Sequence, residues 1–252
     1  MWNGRFLLFL ACLPVSGQTR SFDQLVAKAV ARSGLWEAPV ALDAADPGFP
    51  EKVSGLILSI QTDVGESSET RAKLFLEYGR LGITPCAGWF PVIESGHIAI
   101  ETCDLHIDAF IDADNRAVDG LLLLKTGTVA VKFGRLAVTP AADREFAGTW
   151  TASERDTLVV FRIGYSLGGI AWVTRDRIRR GPSEGSSARI GEFWQSHEHD
   201  HKLDAYSSNE AAFNHEGFTA STVVGGGEGL LVDQCSTGVG LSCPVTFHRV
   251  KD

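Results

Sequence analysis

"FRIGYSLGGIAW", residues 161–172, decides between two fold classes. Gly164-Tyr165-Ser166-Leu167-Gly168 fits G-x-S-x-G, the strand-to-helix elbow that carries the nucleophile of serine hydrolases. An elbow needs a parallel strand before it and a helix after it. Upstream, "FAGTWTASERDTLVVF" is strand-like and holds no crossover helix. Downstream, Ile170, Trp172 and Thr174 alternate with Ala171 and Val173, the period of a second strand. No His-Gly dipeptide supplies an oxyanion loop. The stretch therefore reads as strand, turn, strand, with Ser166 in the turn. A serine esterase at Ser166 stays as an alternative.

The same period runs through most of the chain. "GLILSIQ", "AKLFLEY", "HIAIETC", "LHIDAFI" and "TVAVKFGRL" precede it, and "GIAWVTRD", "FTASTVV", "EGLLVDQ" and "PVTFHRV" follow it. Short alternating runs separated by turn residues predict an all-β sandwich or barrel. "DADNRAVDG", residues 112–120, fits a calcium loop only at its start and reads as a hairpin turn. One helix is expected, over residues 21–33. Ser21 and Gln24 form a capping box, Phe22, Leu25, Val26, Ala29 and Val30 share a face, and Gly34 stands at the C-cap. The Pro- and Asp-rich segment after it makes residues 34–52 a linker.

The halves echo one another. "VSGLILS" (53–59) matches "FAGTWTA" (146–152), and Val131 to Leu136 match Val245 to Val250. "FLEYGRLG" (75–82) aligns with "FRIGYSLG" (161–168), which puts Arg80 opposite Ser166. The repeat predicts two tandem antiparallel β domains, 53–138 and 146–252, with the boundary at 139–145.

Gly148-Thr149-Trp150 opens the second half, and Phe247-His248-Arg249-Val250 closes it. In these features it resembles the small lipocalin-like β-barrel domains of bacterial exported proteins, over residues 146–250 and more faintly over 53–138. It departs from them in its cysteine loop and in lacking the hydrolase domain that often accompanies them. The resemblance implies a barrel with one open end, able to take an apolar ligand.

Compartment is read from the start of the chain and from its thiols. Arg5, an apolar run from Phe6 to Val15 and the small residues Val15-Ser16-Gly17 have the parts of a secretory signal, residues 1–17. Lipidation of Cys12 is the alternative. No other segment is a transmembrane candidate. Four cysteines remain, Cys86, Cys103, Cys235 and Cys243, an even number that suits two disulfides in a periplasmic or secreted protein. Local pairing, Cys86 with Cys103 and Cys235 with Cys243, is the expectation. A zinc site made from all four thiolates is the competing reading, against which stands the absence of any C-x-x-C.

A net charge of −8 argues against a nucleic-acid partner. The densest basic run, "RDRIRR" (175–180), reads as a solvated strand end. "HEHDH", residues 197–201, is both H-E-x-x-H and H-x-H-x-H. On a helix, His197 and His201 would bind zinc with Glu198 as general base; on a strand, His197, His199 and His201 would share a side. Glu210, His215 and Glu216 stand nearby as further ligands. The simplest reading is a polar hairpin loop. The expected function is an exported, non-enzymatic binding or interaction module for an apolar small molecule or a protein partner. A zinc-dependent hydrolase is the alternative.

Overall fold

The computed structural model describes residues 21–42, 51–65, 68–79, 82–112, 114–124, 127–136, 138, 144–181, 185–207, 217–223, 229–236 and 240–250. The signal, Cys12, most of the 139–145 boundary, Glu210, His215 and Glu216 lie outside these residues.

One helix, α1 (Phe22–Arg32), begins with the capping box: Ser21 Oγ accepts from Gln24 N and Gln24 Oε1 from Ser21 N. Among the described residues everything after it is strand, turn and irregular connection, so the protein is all-β with one short helix. β1 (Gly34–Leu42), β2 (Val53–Val64), β3 (Glu69–Tyr78), the short β4 (Gly82–Pro85) and β5 (Phe90–Pro91), β6 (His97–Thr102), β7 (Leu105–Ile111), β8 (Ala117–Leu124) and β9 (Gly127–Arg135) follow in order. β4 and β5 both lie on β3, and a bridge from Val92 to Ile98 carries the circuit on to β6. β6 to β9 form an antiparallel meander, and β9 returns to β1 through Trp36↔Arg135.

The later strands form an eight-stranded antiparallel barrel. They are β10 (Gly148–Glu154), β11 (Thr157–Tyr165), β12 (Ala171–Arg179), β13 (Ser187–His199), β14 (Lys202–Ser207), β15 (Gly217–Thr222), β16 (Gly229–Cys235) and β17 (Val245–Arg249). Each pairs with the next, and β17 closes on β10 through Trp150↔Arg249.

Residues 34–42 are thus a closing strand and not part of a linker. The apolar positions Trp36, Ala38 and Leu42 face the core, and Pro39 is tolerated where the β1–β2 register shifts. This also corrects the repeat. Gly34, Trp36 and Arg135 stand at one constant offset from Gly148, Trp150 and Arg249, so β1 answers β10. The match of 131–136 with 245–250 keeps that offset. The match of 53–59 with 146–152, and the one that put Arg80 opposite Ser166, do not.

Closure has the same chemistry twice. The Arg135 guanidinium lies 5.6 Å from the Trp36 ring centre and that of Arg249 4.4 Å from Trp150, cation–π contacts made by the last strand on the first. Gly34 (φ +124) and Gly148 (φ +149) precede the tryptophans in a conformation other residues seldom adopt. Arg135 also donates to the carbonyls of Val30, Ala31 and Ser33, which satisfies the open end of α1.

Side chains fill both interiors. Trp150, Phe161, Trp194 and Phe247 are fully buried, and the Phe161 ring stacks on Phe218 and Phe247 at 4.6 and 4.5 Å. Around β1–β9 the core is aliphatic, with Trp36 and Phe133. Disulfides join Cys86 to Cys103 and Cys235 to Cys243, as expected, so the four thiols form no zinc site.

The two circuits meet where β2 pairs with β13, at Val64↔Ala188, Asp63↔Arg189 and Thr62↔Ile190. There the outer faces are buried as well, with an apolar cluster at their centre: Leu35, Ile57 and Phe75 pack on Trp172 and Phe193. α1 covers one end of the seam with Val26 and Ala29 against Val64, Ile178 and Ile190. Gly191 makes the approach possible. Its φ is +75, and a Cβ there would stand 2.7 Å from both Gly34 N and Ile60 O. Gly191→Ala should therefore destabilise the protein by about 2 kcal/mol or more. Gly134→Ala, with nothing within 4 Å of the added carbon, should leave thermal unfolding unchanged.

Candidate functional site

Ser166 lies in the turn between antiparallel β11 and β12, as the alternation implied. Ser166 N donates to Ile170 O, and Gly169 N to Ser166 O. The hydroxyl is committed: it donates to Glu77 Oε1 at 2.5 Å and accepts from Ile170 N at 3.1 Å, and the residue is 6% exposed. Both glycines of G-x-S-x-G have packing reasons. A Cβ on Gly164 would enter the Trp172 ring, and one on Gly168 would strike the Glu77 carboxylate. The motif is a docking turn pressed against the first circuit.

What it docks on was not legible in the sequence. Glu37 on β1 and Glu77 on β3 point outward from the first circuit and are buried beneath the turn. Gly55 on β2, between them, leaves room for the two carboxyls to meet. Leu167 N donates to both oxygens of Glu37, at 3.1 and 3.2 Å. Burial pushes the Glu37 carboxyl up to about 7, and the hydrogen bond and charge of Glu77 act the same way against the opposing pull of Leu167 N. At mildly acidic pH the Glu37 carboxyl keeps its proton and has a donor to offer Glu77.

The histidine run is extended, and the loop expected there shrinks to two residues. β13 continues to His199, and Asp200 (φ +44) and His201 (φ +60) form the hairpin tip. His197 and His199 lie on the outer face with ring centres 5.6 Å apart. His201 turns away to Glu145 Oε2 at 3.0 Å, and Glu145 raises its pKa by hydrogen bond and charge. Glu198 faces the other way and accepts from Tyr165 OH at 2.9 Å. The helical H-E-x-x-H arrangement is therefore not formed. Among the described residues no three His, Cys, Asp or Glu side chains gather as a metal site.

Beside these residues a cleft of about 520 Å³ opens at one mouth of the β10–β17 barrel, where β13 runs past the start of β12. Arg144, Tyr165, Ser196, His197, Glu198 and Tyr206 line it, with Ile83 and Ile170 as apolar walls. The Arg144 guanidinium stacks 4.4 Å from the Tyr165 ring centre. Burial and then Glu198 push the Tyr165 phenol far up, so it stays protonated and serves as a donor. Gln195 Nε2 donates to Ile83 O at 2.9 Å and ties the wall to the first circuit. Ser196 Oγ is buried with no hydrogen-bond partner among the described residues. A fixed cation, a fixed acceptor and aromatic faces can bind and orient a ligand; no activated nucleophile stands among them. Arg144 belongs to "TPAADRE", read in the sequence only as a boundary, and its placement over Tyr165 is a tertiary fact.

No known protein-family model matches the chain, and no curated protein matches it in sequence.

The carboxyl pair has a pH signature. A folded-state pKa raised from 4.5 to about 7 means that the folded protein holds the extra proton between those values, so stability falls as pH rises through that window. Glu37→Gln keeps an acceptor for Leu167 N and a donor for Glu77 without a charge. Melting temperature measured from pH 4 to 8 should show the wild type losing stability relative to Glu37→Gln across this window. His201 titrates in both proteins and drops out of the difference.

Proposed function

We propose that the protein is an exported, non-enzymatic binding module built from tandem lipocalin-like β units, and that its ligand sits at the mouth cleft of the β10–β17 barrel. The observation that carries this reading is the Arg144–Tyr165–Glu198 assembly facing an open cleft above a filled interior. The interior aromatics are fully buried against one another, which leaves an apolar ligand no room beside them. The ligand is a small molecule whose apolar part rests on Ile83, Ile170 and Tyr206. Its polar head offers an acceptor to Arg144 and a donor to Glu198. Two disulfides suit an oxidising compartment outside the cytoplasm. The hydrolase alternatives have less support: the hydroxyl of Ser166 is engaged by Glu77, and His197 and Glu198 lie on opposite faces of β13.

A thermal-shift screen of small aromatic amides and amino acids against the wild type tests the site. Compounds that raise the melting temperature should bind Arg144→Ala at least about tenfold more weakly, the loss of one charged hydrogen bond. Hits that bind wild type, Arg144→Ala and Glu198→Gln equally would place the ligand elsewhere.

A further inference from the structure

The opposite mouth of the same barrel holds a second and larger cleft, of about 750 Å³, independent of the first. Its walls come from the β10–β11 hairpin, the far end of β12, the start of β13 and the β2–β3 hairpin of the first circuit. Gly240, Leu241 and Ser242 of the disulfide-closed segment between Cys235 and Cys243 complete it. In a chain of net charge −8 this wall collects Arg155, Arg177, Arg179 and Arg189. The run read as a solvated strand end is therefore two-sided, with Arg175 and Arg177 turned inward. Arg175 is 1% exposed and paired with Glu192, Nε to Oε2 at 2.8 Å.

The carboxylates of the wall are already engaged. Asp156 takes Arg179 at 3.3 Å and Asp63 takes Arg189 at 3.0 Å. Glu154 accepts from Ser242 N at 2.9 Å and from its hydroxyl at 3.2 Å. Arg177 is different. It points to the same side of β12 as Arg175, is half-buried, and makes no hydrogen bond or ion pair with any described residue. Its stem passes beneath Gly240 (φ +87), where a Cβ would stand 2.6 Å from Arg177 Cδ. Gly240 to Ser242 are held by the Cys235–Cys243 disulfide and by Glu154, so the stem of Arg177 is confined at the wall of the cleft.

We propose that this cleft is an oxyanion-binding site in which Arg177 receives the carboxylate or phosphate head of a small ligand. A guanidinium offers five donors and no acceptor, and that of Arg177 keeps its donors open to the cleft. Its planar fork matches a carboxylate or phosphate edge with two parallel hydrogen bonds. Arg155, at the tip of the β10–β11 hairpin with φ +54, adds a second positive charge at the rim. Val64, Ala188 and Leu241 give the rest of the ligand an apolar wall.

The probes are inorganic phosphate and succinate, titrated separately by calorimetry at low ionic strength into the intact protein. Wild type should bind at least one of them, and which one identifies the head group. Arg177→Gln should weaken that binding at least about tenfold. Arg180→Gln, outside the cleft and paired with Asp23, should not. Phenylglyoxal modification of the wild type, mapped by peptide, gives a readout that needs no variant: the bound anion should protect Arg177. The site is refuted by failure of both anions to bind, by equal binding to Arg177→Gln, or by unprotected modification of Arg177.

Discussion

An arginine over the ring of a tryptophan closes each strand circuit. Without a partner for the last strand, an antiparallel meander leaves two open edges, each a template for aggregation. Trp36 beneath Arg135 and Trp150 beneath Arg249 remove those edges with the same contact. Gly34 and Gly148 provide the backbone turn that sets each tryptophan in place. Arg135 does more, because its remaining donors cap α1 and so hold the helix over the seam between the circuits. The clefts at the two mouths of the β10–β17 barrel exist because closure there leaves the ends of the barrel as its accessible concave surfaces.

The seam is the second consequence of closure. Two circuits can share a wall only where strands are buried on both faces, and β2, β3 and the middle of β13 are. At the seam, Gly191 lets backbones approach and the G-x-S-x-G turn rests on the buried Glu37–Glu77 pair. The same wall borders both clefts, with Ile83 on one side and Asp63 on the other.

What could be read from the sequence was what repeats locally. The capping box at Ser21, the strand alternation around Phe161 and the short-range cysteine pairs are each set within a few residues, and each appears in the fold. The first Gly-x-Trp strand was hidden because Pro39 and the Pro-rich run after it carry the composition of a linker. Ser166 could be assigned to a turn, yet Glu77 beneath it lies far away in the chain and carries no local mark. Arg177 looked solvated because alternation alone does not say which face of β12 is inner, and the bulge in β13 opposite it blurs the pattern further. Charged residues turned into a barrel mouth are where local pattern fails, since their setting comes from strands that meet only after closure.

The central claim is that the barrel interiors are full and that ligands engage the mouths. A long-chain fatty acid, titrated while tryptophan fluorescence is followed, tests it most directly. Trp150 and Trp194 report on the interior of the β10–β17 barrel and Trp36 on that of the first circuit. The account predicts no saturable one-to-one binding and unchanged emission from these side chains. Stoichiometric binding with quenching or a spectral shift of the buried tryptophans would mean that an interior chamber opens for an apolar ligand, and would contradict it.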